Sequence, residues 1–241
     1  MEIEIEKLSD DLEEEWKNLK NSQIFQRPEW AKFLSLSTVI TARDENGKLI
    51  GVMPLKERKI GIFKLVVAPS VPLVQAEQKE VFVNILNFFK GMGGIKLVET
   101  TYNDFNNGID YQSLGFSILK RGTQIIPLDQ SLEHVWANLA GEEGKNHKKI
   151  KRAVKIGVEI FEANSKEQWD EFYQIYSDAG KEWNVPIMSK EEYDSLRENV
   201  GNSNLAKLFV SKLNGEIIDG LVILLSNDNI VTFISASKKG K

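Results

Sequence analysis

Between Lys145 and Val158 the chain reads KNHKKIKRAVKIGV and sets six cations close together: Lys145, Lys148, Lys149, Lys151, Arg152 and Lys155. No acid interrupts them. The 241-residue chain as a whole is acidic, with 31 Lys and Arg against 35 Asp and Glu. A basic run inside an acidic protein is a local feature aimed at a local partner, and that partner is anionic. A phosphate, a diphosphate, an RNA backbone or an acidic membrane face would suit it. As a helix over about 144–156, the run spreads its cations across an arc of roughly 160°. Ile150, Ala153 and Val154 fall on the other side, where they are expected to face a core. A merely solvated helix face is the plain alternative; the lack of interleaved acids favours anion binding. Adsorption to a membrane fits less well, because the apolar arc holds no Trp, Phe or Leu.

Other residue types narrow the chemistry. There is no cysteine, so a thiolate metal site, a disulfide and a cysteine nucleophile are excluded. The two histidines, His134 and His147, argue against a histidine-rich metal centre and against a serine–histidine triad. Transfer of an acyl group to an amine asks less of a protein: positioning, a proton acceptor and a donor for the developing oxyanion. Tyr173, Tyr176, Asp178, Lys181 and Glu182 lie on or just beyond a helix that precedes Trp183. Tyr173 and Tyr176 share a face of it, and Tyr176 suits either the core or a cleft. Asp219 is the odd polar residue in the apolar run Ile217 to Leu225, as a cleft position, a sheet edge or a bulge would explain. No catalytic residue is assigned on these grounds.

The elements that must position these groups form a pattern. Residues 1–7 alternate as a strand, and Ser9 caps a helix to about Leu19 that carries Leu12 and Trp16 inward. Pro28 opens a short helix with Trp30, Phe33 and Leu34 inside. Strands follow at 37–43 and 48–57, joined at Asp44-Glu45-Asn46-Gly47, and at 63–67. A helix over 77–90, a strand over 95–100, a helix over 104–114 and a strand pair at 116–120 and 123–128 complete a first unit. The order then begins again: a helix capped by Asp129 or Ser131, the basic helix, a strand at 158–162, helices capped by Ser165 (to about Ala179) and Ser189, and strands at 205–212, 217–225 and 229–236. The fold class is therefore α/β of the α+β kind, with mixed, mostly antiparallel sheets in two domains, 1–122 and 123–241. The second repeat is expected to be C-terminally incomplete. Its open sheet edge could be covered by a homodimer.

Four segments resemble the FemAB-like branch of the GNAT acyltransferase superfamily, which includes the Fem aminoacyltransferases that build peptidoglycan bridges. Phe25-Gln26-Arg27-Pro28-Glu29-Trp30 resembles the family's early FQ…W segment. Lys148 to Val158 resembles its RNIRKAxKxGV segment, with lysine at 148, 149 and 151 where the family has arginine, asparagine and arginine. Trp183-Asn184-Val185-Pro186-Ile187 resembles its xGVP stretch, and Ala206 to Gly220 its hairpin. The resemblance implies tandem GNAT-like domains and transfer of an aminoacyl or acyl group to an amine of an anionic acceptor, a small molecule or a precursor. It implies aminoacyl-tRNA as a donor and tRNA as a partner, and places Lys32 where family members often carry a substrate-contacting basic residue; with Tyr176, taken from its helix spacing as facing a cleft, and the six cations of the basic helix, these are the expected substrate-binding residues. Acyl-coenzyme A fits less well. GNAT enzymes hold its pyrophosphate on the N–H groups of a Gly-rich turn, whereas residues 67–74 read VAPSVPLV, with two prolines and no glycine. A binding module without catalysis and a coenzyme-dependent acetyltransferase remain the alternatives.

DNA is not an expected partner, and no metal is expected. The N-terminus MEIEIEKLSDD places acids where a secretion signal places lysines. No run approaches the roughly 18 apolar residues of a spanning helix. A cytoplasmic location without stable membrane insertion is expected.

Overall fold

The computed structural model describes residues 1–19, 23–75, 78–99, 108–119, 125–139, 144–226 and 229–238. By contacts the chain divides into two compact units. The first holds Met1–Ile118, Met188–Ala206 and Leu224–Val231; the second holds Leu119–Ile187, Lys207–Ile223 and Thr232–Lys241. Two sheets with helices give the expected α+β class.

In the first unit, β1 (Glu2–Lys7), β2 (Thr38–Arg43), β3 (Leu49–Ile60) and β4 (Phe63–Ala68) pair antiparallel in that order. A two-residue β5 (Leu73–Val74) pairs with β3, and β6 (Ile95–Val98) joins β4 in parallel. The sheet buries both faces at its centre. Val39 and Val52 point to one side, where α1 (Asp10–Lys17) supplies Leu12 and Trp16. Ile40 and Met53 point to the other, where α3 (Lys79–Gly91) supplies Ile85, Leu86 and Phe89. Adjacent residues on a strand therefore serve different cores, which is why β2 and β3 are apolar almost without alternation.

The short α2 (Pro28–Phe33) is held by a dense local knot. Trp30 packs edge-on to Phe25 at 4.9 Å and tilted against Phe33 at 4.8 Å. Beside it, Gln26 is 4% exposed. Its Nε2 donates to the carbonyls of Val71 at 3.3 Å and Pro72 at 3.4 Å, while its Oε1 accepts from the Gln23 N–H at 3.0 Å. The Trp16 indole N–H donates to the Gln26 carbonyl at 2.8 Å. From far along the chain, α7 (Lys190–Leu196) and the π turn Arg197–Gly201 pack against α2, burying Tyr193, Leu196 and Val200 completely.

The second unit holds most of a four-stranded sheet in the order β10 (Ile230–Ser237), β9 (Glu216–Leu225), β8 (Ala206–Leu213), β7 (Glu159–Glu162). Helix α6 (Lys166–Trp183) lies against it and buries Trp169, Phe172 and Ile175. It runs past the expected end near Ala179. Gly180 does not stop the helix; its bare Cα lets Ile187 approach, since a Cβ there would sit 2.4 Å from Ile187 Cγ2. Helices α4 (Leu132–Asn138) and α5 (Lys145–Lys155) complete the described part.

Two expected elements differ. The helix over 104–114 falls partly on 104–107, outside the described residues. Its remainder is a turn, in which the Asp110 carboxylate accepts from the N–H groups of Gln112 and Ser113 and so competes with helical pairing. The strand pair at 116–120 and 123–128 lies partly on 120, 123 and 124, also outside. Residues 116–119 and 125–128 are not strands, and Leu119, Ile125, Ile126 and Leu128 are exposed. Apolar alternation supplies a face but not a neighbouring edge to pair with.

Gln26→Met keeps the volume of the side chain and removes the donor to Val71 and Pro72. It is expected to cost about 1–3 kcal/mol, read as a lower urea midpoint at unchanged slope. An unchanged midpoint would show that the amide does not clamp the loop.

Candidate functional site

Helix α5 begins at Gly144, which sits at φ +68. The helix contains no buried residue, and all but His147 and Ala153 are exposed. The six expected cations are thus presented together on one element, five of them within the span Lys148–Lys155. The apolar arc does not face a core. Ile150 is 40% and Val154 68% exposed, and only Ala153 is partly covered. The reason is the neighbour. Helix α4 has seven residues, and its described contact with α5 is a stack of Trp136 on His147, with ring centroids 4.2 Å apart and planes 4° apart. The His147 Nε2–H donates to the Trp136 carbonyl at 2.7 Å, because a carbonyl can only accept. That contact occupies the first turn of α5 and leaves Ile150 and Val154 open.

Tyr176 lies on α6 in the same unit, half-buried, with its ring 6.2 Å from that of Tyr173 in an edge-on pair. Phe172 and Ile175 are core, as their spacing indicates. Asp178 is exposed. It accepts from Gln174 and Lys181, and these hydrogen bonds hold its carboxyl below the ordinary value. Lys32 lies on α2 in the first unit. Its ammonium is 2.7 Å from the buried carboxylate of Glu13, and this hydrogen bond, working against burial, raises its pKa. One of its three donors is therefore committed to the fold.

Asp219 is the polar group whose surroundings say most. The bare Cα of Gly220 lies on the Phe172 ring, where a Cβ would be 2.4 Å from Cδ2. This contact fixes the phase of β9: Ile218, Gly220, Val222 and Leu224 are buried, and the pleat turns Asp219 to the opposite face of the sheet from Phe172. There it is half-buried, and burial alone raises its pKa. Among the described residues it has no hydrogen-bond or ion-pair partner. A carboxyl held this way is suited to taking a proton. Its sequence signal was polarity inside an apolar run; the missing cation partner is visible only in the fold.

The loop at the coenzyme position of the first unit is packed inward. Ser70, Val71, Pro72 and Leu73 are buried, and Gln26 occupies the Val71 and Pro72 carbonyls. Among the described residues no cluster of three or more His, Asp or Glu side chains could hold a metal ion, and no helix is long and apolar enough to cross a membrane.

No protein-family model and no curated protein matches the sequence. Solved structures do match the fold. FemX is 15% identical with a TM-score of 0.67, across 100% of this chain and 81% of that one. L-PGS, a lysylphosphatidylglycerol synthetase from Bacillus licheniformis, is 16% identical with a TM-score of 0.62, across 98% and 68%. A C-terminal DUF2156 domain from Agrobacterium fabrum is 9% identical with a TM-score of 0.55, across 97% and 70%. The chain shares the fold of FemX and of L-PGS.

A raised aspartate pKa means that the folded state binds more protons than the unfolded one between the two values, so stability falls as pH rises through that window. Asp219→Asn removes the effect. It is expected to raise the thermal midpoint at pH 7, with the gain vanishing below the ordinary aspartate value of 3.8. A gain that persists unchanged in acid would assign it to something other than the buried charge.

Proposed function

We propose that this protein is an N-acyltransferase that moves an aminoacyl or acyl group to an amine of an anionic acceptor. The observation that carries the reading is α5: six cations with no acid, exposed along the whole helix, in a chain with the FemX fold. The fold shared with FemX and L-PGS supports the class. The reaction needs the amine nitrogen to attack the donor's carbonyl carbon. A carbon–nitrogen bond forms, the ester or thioester bond breaks, and the amine gives up a proton. Asp219 is the candidate acceptor for that proton, since burial biases it toward the protonated state and no cation holds it ionised.

Helix α5 would hold the phosphates of the acceptor or of a donor RNA. Tyr176 and Lys32 would contact substrate, the latter through the donors that Glu13 leaves available. The packed proline loop supports a donor other than acyl-coenzyme A.

Charge reversal at Lys148 and Lys151 together is expected to weaken binding of tRNA or of a nucleotide-linked acceptor, and to flatten the salt dependence by about two units of log–log slope. Unchanged binding would remove α5 from the site. Asp219→Asn is expected to lower kcat by about 10²-fold or more with little change in KM. Titration with acetyl-coenzyme A is expected to give no heat; micromolar binding would turn the reading toward a coenzyme-dependent acetyltransferase.

A further inference from the structure

The basic arc of α5 accounts for half of its surface; the other half carries Ile150 and Val154 in the open. His147, Ile150 and Val154 fall at i, i+3 and i+7, on one stripe. Trp136 stacks on His147, and Leu132 lies one turn before Trp136 on the same face of α4. The stack of Trp136 on His147 thus joins the exposed apolar side of α4, Leu132 and Trp136, to the stripe of His147, Ile150 and Val154 on α5. Leu132 is 79% exposed, Trp136 39%, Ile150 40% and Val154 68%, and neither helix has a buried residue. A tryptophan and a leucine absent from α5 itself are thereby added to its apolar side by the fold. Beside this apolar side stand Lys148, Lys149, Lys151, Arg152 and Lys155, all exposed.

We propose that α4 and α5 form an interfacial element that adsorbs to an anionic phospholipid bilayer, with the apolar side seated at the headgroup–acyl boundary and the lysines on the phosphates. The choice of occupant follows from charge and apolarity together. An RNA backbone would use the cations and leave the apolar side in water. A second copy of the chain would bring like charges together. A zwitterionic membrane would leave the cations without partners. An anionic bilayer satisfies both faces of an amphipathic helix at once. The protein's net charge of −4 opposes adsorption elsewhere on its surface, so the helix pair also sets the orientation. The proposal rests on α5 as a phosphate-binding surface and is independent of the transfer reaction.

Flotation of the full chain with vesicles of phosphatidylglycerol and phosphatidylcholine, against vesicles of phosphatidylcholine alone, tests it. Binding is expected to the anionic vesicles only, and to weaken as salt rises. Ile150→Gln with Val154→Gln keeps the charge and the helix propensity at two exposed positions. It is expected to lower vesicle affinity about tenfold or more while leaving RNA binding unchanged. Lys148→Gln with Lys151→Gln is expected to lower vesicle affinity about 30-fold. Circular dichroism checks that each variant is folded. Vesicle binding untouched by the double glutamine change on the apolar side would overturn the proposal, because charge alone would then suffice. So would absence of vesicle binding, whether RNA binds instead, which preserves α5 as an anion site for transfer, or the chain self-associates through Val154.

Discussion

One buried amide orders much of the first unit. Gln26 ties its own turn to Trp16 and to the distant Val71–Pro72 loop. Its backbone carbonyl accepts the Trp16 indole, its side-chain oxygen caps the Gln23 N–H, and its side-chain nitrogen reaches Val71 and Pro72 across 45 residues or more. A buried primary amide can meet this demand because it presents donor and acceptor in one plane. The loop around Val71 and Pro72 is drawn inward, its carbonyls used and its residues buried. The FQ…W segment that marks the resemblance is thus a structural fastening, whatever else it contacts.

Much of this was legible in the sequence, because each rule acts locally. Ser9, Ser131, Ser165 and Ser189 cap the helices that their positions indicate. The Asp44–Gly47 turn joins the strands that flank it, and Leu12 and Trp16 are core. What was not legible depends on neighbours distant in sequence. Nothing near Lys190–Gly201 says that it packs against α2. Gly180 looks like a helix stop and is instead a point of close approach. The alternation at 116–119 and 125–128 describes a face without naming an edge to receive it. The described remainder of 104–114 has helical spacing, but Asp110 claims its N–H groups first.

The site divides in the same way. The cations of α5 were legible because charge composition needs no tertiary context. The fate of Ile150 and Val154 was not, since an apolar arc buries itself only if a partner is long enough to cover it. The seven residues of α4 are not. Likewise Asp219 stands out as a polar residue in an apolar strand, but its environment depends on Phe172 fixing which way the pleat turns. Leaving a half-buried carboxyl without a cation costs stability.

The lysines themselves bear on what α5 meets. At a site built for one phosphate, arginine is favoured, because its planar fork grips two oxygens in fixed geometry. Positions 148, 149 and 151 are all lysine, so the helix presents mobile point charges on flexible stems. Such charges suit many phosphates at variable spacing better than a single one held rigidly. Lysine stems can also lie along an apolar surface while their ammonium groups reach outward, and α5 sets that apolar surface beside them. Helix α5 thus sets Ile150 and Val154 in the open next to lysines whose stems can reach along them, an arrangement that a single rigidly held phosphate would not require.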